Sequence, residues 1–255
     1  MTPADPALTA LIGQAARILI FTGAGVSTNS GIPDFRGPTG VWKTRQPVMY
    51  SDFMRSEQAR VEYWDQKLET FQEFSQAQPN NTHHACAKLL AAGKLEMLVT
   101  QNIDGLHEKA GVGPEKLVEL HGTNARVACQ TCGAAADLKA SFEAFRETRK
   151  SPRCEACGGF LKPATISFGQ SLVAGDIARA EWAANACDLV VALGSSLSVY
   201  PAASFPLLAA QRGVPYAIVN RGVTEHDGLG AVSLRLEGDV GEIFPPAVRA
   251  ALQDA

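Results

Sequence analysis

Four short runs of apolar, largely β-branched residues each break off into polar sequence: RILIFTG (17–23), LEMLVT (95–100), DLVVALG (188–194) and PYAIVN (215–220). Runs this short and this continuously apolar predict strands buried on both faces. Helical spacings lie between several of them, and ASFPLLAAQRG (203–213) closes on an Arg-Gly stop before the next strand. Strands alternating with helices predict an α/β fold with a parallel sheet covered on both sides, whose ligand binds at the carboxyl ends of the strands. There the runs lead into TGAGVS, TQNIDGLH, GSSLSV and NRGVTEHD.

Two stretches break this rhythm, 38–82 with aromatic and charged helical spacing, and 124–162. Read as insertions, they predict a small lobe set against a Rossmann-like large domain made of 1–37, 83–123 and 163–255, with a ligand cleft between the two. The second insertion carries two C-x-x-C pairs, Cys129/Cys132 and Cys154/Cys157, 21 residues apart. That spacing is a zinc ribbon's, and the glycine after each pair helps two thiolates turn toward one tetrahedral ion. A disulfide scaffold does not suit a chain with no export signal, and a redox motif needs one pair only. One structural Zn2+ is therefore predicted, with Cys86 and Cys187 left in Ala-rich helical patterns as buried thiols.

Composition narrows the classes. With 255 residues, 46% of them hydrophobic, and a mean hydropathy of −0.02, the chain can bury a sizeable core. A net charge of −3 and a pI near 6.0 argue against a general nucleic-acid binder. No run of eighteen apolar residues and no basic leader followed by a cleavage site occurs, so a cytoplasmic protein away from membranes is expected.

The polar loops carry the candidate chemistry. Gly23 and Gly25 follow a strand directly, as in a loop that lets backbone amides and a helix dipole approach a pyrophosphate; the third glycine of G-x-G-x-x-G is missing, the chain running on through Thr28 to Gly31. A tight turn without a ligand stays open as the alternative. GIPDFRG (31–37) is longer than a strand-to-helix turn requires, and Asp34-Phe35-Arg36 reads as a flap with an aromatic shield and charges. In TQNIDGLH, Gln101, Asn102 and Asp104 cluster while Ile103 anchors inward; capping a helix near Asp104 accounts for one of the three. His121 follows KLVEL at another strand end, where an imidazole serves as a general base or as a structural group. His83, His84, His107 and His226 have less distinctive surroundings, and His84 is expected to pack on or cap a helix.

In order, GAGVSTNSGIPDFRG, TQNIDGLH, ELHG, the paired C-x-x-C, FG, GSSLSVYPAA and VNR resemble the sirtuins over nearly the whole chain, and RQPVMYSDFMRS, EYW and QPNNTHHA look most like their class II branch. The resemblance implies an NAD-dependent protein lysine deacylase with a Rossmann-like domain and a zinc-bearing lobe, acting on an acyl-lysine protein or peptide. The acyl oxygen would attack the nicotinamide ribose of NAD, giving an alkylamidate, and His121 would then act as general base. Phe35, with Asp34, Asn102 and Asp104, would shield the reacting end, and Arg36 would order the flap. Gln101 and Asn102 would contact the ribose. Gly23, Ala24, Gly25, Thr28, Gly194, Ser195 and Ser196 would lie along the phosphates, with Ile103 and Val240 lining the site and Asn220 and Arg221 near the adenosine ribose. Ile166, Phe168 and Gly169 would hold the peptide by backbone hydrogen bonds.

KPATISFGQ departs from the family's usual strand at Thr165, Ile166 and Gln170. In the branch that reads acyl carboxylates a Tyr-x-x-Arg pair does so; YWDQK sets Trp64 and Lys67 at those places, with Asp65 to compete for the lysine. Acetyl or longer neutral acyl groups are therefore expected over succinyl. Three other classes remain as readings. They are a protein ADP-ribosyltransferase, a nicotinamide dehydrogenase, disfavoured by the missing glycine, and a non-catalytic zinc-ribbon module, which leaves the strand-end loops unexplained.

Overall fold

The computed structural model describes residues 3–34, 40 and 46–253. It begins with α1 (Pro6–Gln14) and β1 (Ile18–Thr22), followed by 3-10 turns at Ala24–Val26 and Thr28–Ser30. Next come α2 (Tyr50–Arg55), α3 (Glu57–Gln76), α4 (Asn81–Ala91), β2 (Leu95–Thr100), α5 (Leu106–Lys109) and β3 (Leu117–Glu119). Then β4 (Gly122–Cys129), β5 (Ala135–Ala136), α6 (Leu138–Thr148) and β6 (Leu161–Thr165) lead to α7 (Ala174–Ala186). The chain closes with β7 (Leu189–Leu193), α8 (Ser204–Ala210), β8 (Tyr216–Asn220), β9 (Leu234–Glu237) and α9 (Val240–Gln253).

The four apolar runs are β1, β2, β7 and β8, and every residue in them is buried. They pair parallel in a six-stranded sheet of order β3-β2-β1-β7-β8-β9. Helices cover both faces, which is why the strands are apolar throughout rather than alternating. On one face Leu8, Ile12, Leu89, Phe244 and Val248 from α1, α4 and α9 meet Ile18 and Ile20. On the other, Ala180, Ala183 and Ala184 of α7 and Phe205 and Ala209 of α8 meet Leu19, Phe21 and Val190. The chain winds outward from β1 to β3 and then from β7 to β9. The crevice at the switch point therefore opens beyond the carboxyl ends of β1 and β7, where a doubly wound sheet takes its ligand.

A second, antiparallel sheet of order β5-β4-β6 has its own apolar cluster of Phe53, Trp64, Val127, Phe142, Phe145 and Leu161. Trp64 is fully buried there, its ring 5.2 Å from Phe142 and its indole N–H donating to Leu161 O at 3.2 Å. This corrects the expectation that Trp64 faces an acyl chain: Tyr63 and Lys67 share one face of α3 at i, i+4 spacing, and Trp64 lies on the next.

Asn80 caps α4 in a capping box whose return bond is made by His83, not His84. The buried stripe of α4 is Thr82, His83, Ala85, Cys86 and Leu89, which leaves His84 on the solvent side. Among the described residues no helix is long and apolar enough to cross a membrane.

Candidate active site and metal centre

At the switch point two loops meet backbone to backbone. Gly23 N donates to Leu193 O at 3.0 Å and Gly25 N to Gly194 O at 2.8 Å. Gly194 has φ 59, and a Cβ there would sit 2.6 Å from Val26 N; one on Gly25 would sit 2.8 Å from Gly194 Cα. These glycines answer first to the protein's own close approach. The α-helix expected behind this loop is not formed. The chain coils into the two 3-10 turns and leaves at Gly31 (φ 84), so no α-helix dipole points at the crevice from here.

A cavity of about 1330 Å³ fills the crevice. Gly23, Ala24, Gly25, Thr28 and Asp34 line it from the β1 loop, and Gln101, Asn102 and Ile103 from the β2 loop. His121 follows β3; Ile166, Phe168 and Gly169 follow β6; Gly194, Ser195 and Ser196 follow β7; Asn220, Arg221 and Val240 complete the wall. Phe35 and Arg36 lie outside the described residues. Asp104 is the exception among the expected contacts, for it stands behind the wall. Its Oδ1 accepts from Leu106 N at 2.9 Å and its Oδ2 from Ser27 Oγ at 2.7 Å, while burial raises its pKa.

Ser27 links that carboxylate to the cavity. Asn102, 5% exposed, donates its Nδ2 to Gly23 O and to Ser27 Oγ, both at 3.1 Å. Ser27 had no signal of its own in the sequence beyond its place after GAGV. Gln101 Nε2 donates to Ser195 Oγ at 2.9 Å, and Leu197 N to the same oxygen at 3.1 Å. Leu197 holds φ 56, a conformation uncommon outside glycine, and is fully buried. Asp239 accepts from Arg221 at 3.1 Å and from Asn29 at 2.9 Å, tying the loops after β8, β9 and β1 together.

His121 Nδ1 lies 3.0 Å from Gln101 O. A carbonyl only accepts, so Nδ1 carries the proton and Nε2 of the neutral ring carries the lone pair. Ile166 N donates to His121 O at 2.7 Å, and Gly122 is paired with Thr165. A Cβ on Gly122 would fall 2.0 Å from Ala164 O, so glycine after the histidine is what lets β6 close in. The expected base and the expected peptide strand are thus adjacent.

Beyond them the cavity wall is polar. Tyr63 OH lies 2.9 Å from Thr165 Oγ1, and Lys67 Nζ donates to Asn124 Oδ1 at 2.9 Å. Burial lowers the Lys67 pKa to about 8; burial first, then the charge of Lys67, lower that of Lys162 to about 7. Asp65, expected to compete for Lys67, is paired with Arg149 at 2.5 Å instead. Gln170 Oε1 accepts from Ser167 N at 3.1 Å and its Nε2 donates to Gln130 Oε1 at 3.4 Å, joining the turn after β6 to the cysteine knuckle.

In that knuckle the Sγ atoms of Cys129, Cys132, Cys154 and Cys157 lie within 4.8 Å of one another. Thr131 N donates to Cys129 Sγ and Gly159 N to Cys157 Sγ, both at 3.4 Å, and amide bonds from Cys132 and Thr131 pull the Cys129 thiol down to about 6. Four converging thiols with amide donors fit one tetrahedral Zn2+ as a closed structural site. Cys86 and Cys187 are buried elsewhere, as expected.

The Sir2 family model matches residues 23–201. An NAD-dependent protein deacetylase of Rhodopseudomonas palustris is 43% identical over 93% of each chain, and NAD-dependent protein deacetylase 1 of Bradyrhizobium diazoefficiens is 40% identical over 93% of this chain and 92% of its own. A Sir2 structure with a p53 peptide and NAD+ superposes with a TM-score of 0.85 at 31% identity, covering 98% of this chain and 97% of that one. The chain belongs to the Sir2 family, the sirtuins.

Proposed function

We propose that the protein is an NAD-dependent protein lysine deacylase of the deacetylase type, moving the acyl group of an acyl-lysine onto ADP-ribose with release of nicotinamide. The observation that carries this is His121, oriented by the Gln101 carbonyl where the nucleotide-side loops meet the Ile166–Phe168 segment. NAD supplies a ribosyl carbon whose bond to nicotinamide breaks. The chain's part is to hold and to move protons. Asn102, pinned by Gly23 and Ser27, presents its amide at the reacting end, with Asp104 fixing Ser27 from behind. His121 Nε2 takes a ribose hydroxyl proton. Ser195, Ser196 and the Gly23–Gly25 backbone follow the phosphates, and Asn220 and Arg221 the adenosine side. Ile166, Phe168 and Gly169 offer extended backbone to the peptide.

The two sheets support a division into a large domain and a small lobe, but β4 (Gly122–Cys129) and β6 (Leu161–Thr165) run across the 123/124 and 162/163 boundaries, and the 37/38 boundary lies outside the described residues. The proposed class II assignment rests on the resemblance of RQPVMYSDFMRS, EYW and QPNNTHHA. A cytoplasmic location suits four thiols that must stay reduced to hold zinc.

Zinc-loaded protein incubated with NAD and an acetyl-lysine peptide is expected to release nicotinamide and O-acetyl-ADP-ribose in equal amounts. ADP-ribose retained on protein, with no O-acetyl product, would replace this reading by the transferase. The acyl end is testable separately. With Trp64 in the core and Asp65 engaged by Arg149, the expectation of a neutral acyl group keeps one support, that a lysine lacks the planar fork that grips a carboxylate at two points, and Lys67 faces the cavity with an amide as its partner. Lys67→Met is expected to lower kcat/KM on a succinyl-lysine peptide at least about tenfold more than on the acetyl form, a hydrogen bond to a charged group being worth about 1.5–3 kcal/mol. Equal losses on the two peptides would show that Lys67 does not meet the acyl terminus.

A further inference from the structure

Two buried imidazoles, His83 and His107, take no part in the chemistry above. Their ring centres are 4.7 Å apart, and each is at most 2% exposed. His83 Nε2 and His107 Nδ1 have no hydrogen-bond partner among the described residues. A satisfied structural histidine would not leave a ring nitrogen bare.

Asn80 N donates to His83 Nδ1 at 3.2 Å, which makes that nitrogen the acceptor and leaves the proton on Nε2. At the far end, Asn102 N donates to Thr100 Oγ1 at 3.0 Å. Thr22 Oγ1 donates to Thr100 Oγ1 at 2.8 Å. With its proton committed, the Thr22 oxygen accepts, and the group 3.1 Å away is His107 Nε2. His107 therefore carries its proton on Nε2 and a lone pair on Nδ1. The two bare nitrogens are thus a donor on His83 and an acceptor on His107, on neighbouring rings.

Thr100 Oγ1 accepts from both sides, from the Thr22 hydroxyl and from the Asn102 backbone N–H. Hydrogen bonds link His107, Thr22, Thr100 and the Asn102 backbone N–H, while His83, bound to the α4 cap, meets His107 ring to ring without a hydrogen bond. Thr22 and Thr100 are register partners at the carboxyl ends of β1 and β2, where the cavity begins. Asn80 also donates its Nδ2 to Val26 O at 2.8 Å and to Ser30 Oγ at 3.0 Å, so the helix start that anchors the chain holds the β1 loop as well. Burial keeps both rings neutral, as the tautomers require.

We infer that His107 is a positioning residue for Asn102, acting through the Thr22 and Thr100 hydroxyls, with His83 and Asn80 as its anchor. The inference rests on the deacylase reading for its kinetic consequence and on the hydrogen bonds alone for its structural one. Glutamine sets its amide nitrogen near the place of a histidine Nε2, whereas asparagine sets it near Nδ1, so the two variants separate the Thr22 bond from the filling of space.

The experiment compares His107→Gln, His107→Asn and Thr22→Val, the last removing a hydroxyl at nearly constant volume. His107→Asn and Thr22→Val are expected to lose about 10–100-fold in kcat/KM for NAD, the scale of a small misplacement at a reacting centre, while His107→Gln stays within about threefold of the parent. Peptide KM, zinc content and the Kd for ADP-ribose, which lacks the nicotinamide end, should hold within about twofold. Equal activity of the asparagine and glutamine variants, or loss of ADP-ribose affinity in step with activity, would overturn the assignment. Hydrogen exchange at the Asn102 amide decides the structural half even if the parent releases no nicotinamide. Exchange should quicken in Thr22→Val and His107→Asn and not in His107→Gln; no difference among the three would refute the chain of bonds whatever the reaction proves to be.

Discussion

His121→Ala abolishes deacylation while the protein keeps its zinc and its thermal midpoint: this is the expected result, and its size follows from the geometry. The imidazole is held at Nδ1 by the Gln101 carbonyl and is half-buried, lining the cavity rather than the core. Removing it therefore costs little packing. Loss of a positioned base costs about 10²–10⁴ in rate. Because cleavage of nicotinamide precedes proton removal from the ribose, exchange of labelled nicotinamide into NAD should survive in part. Asn102→Ala should behave otherwise. Its Nδ2 bridges Gly23 O and Ser27 Oγ at the reacting end, so exchange and deacylation should fall together. Assaying both reactions on both variants checks the order of events. An alanine at 121 with near-normal product formation would remove histidine from the base role, and His121→Tyr would repeat the test with an aromatic ring in place.

How much of this could be read from the chain depends on where each residue's partners lie. The strands were legible because burial on both faces writes a continuous apolar run. The loops were legible because a doubly wound sheet collects its ligand groups at strand ends, so GAGVS, TQNIDGLH and GSSLSV had to converge. Contacts that depend on rotation about a helix were not. YWDQK gives Trp64 and Lys67 equal claims on a pocket, and only the phase of α3 against β6 sends the indole into the Phe142–Phe145 cluster and Tyr63 with Lys67 into the cavity. Asp104 was misplaced by one layer for a similar reason. A cluster of polar residues in sequence does not say which of them reaches ligand and which braces its neighbour, and Ser27 was the missing intermediary. His83 and His107 lie 24 positions apart, and their pairing needs α4 and α5 packed side by side over the ends of β1 and β2.

Removing the zinc should have the largest effect on the fold. The cysteines come from the end of β4, the turn before β5 and the approach to β6, so the ion would close a small sheet whose β5 is two residues long. Cys129 and Cys154 also belong to the aromatic cluster around Trp64 and Phe145, which ties metal retention to the packing of α3 and α6. Structural zinc contributes about 10–16 kcal/mol in small metal-dependent domains, more than the whole stability of most domains. One zinc per chain is therefore expected by metal analysis, and Cys129→Ser or exhaustive chelation should unfold β4–β6 and abolish deacylation. The large sheet should persist, because its two apolar layers contain none of the four cysteines. Tyr63, Lys67 and Thr165 would lose their common frame, and the Gln130–Gln170 contact would release the turn that carries Phe168 and Gly169. Peptide affinity should consequently fall further than ADP-ribose affinity, whose proposed contacts sit on the large sheet. Titrating both ligands against the zinc-free protein measures the difference. A zinc-free preparation that stays folded through 124–162 and deacylates at the parent rate would show that the four thiols hold the lobe together without a metal.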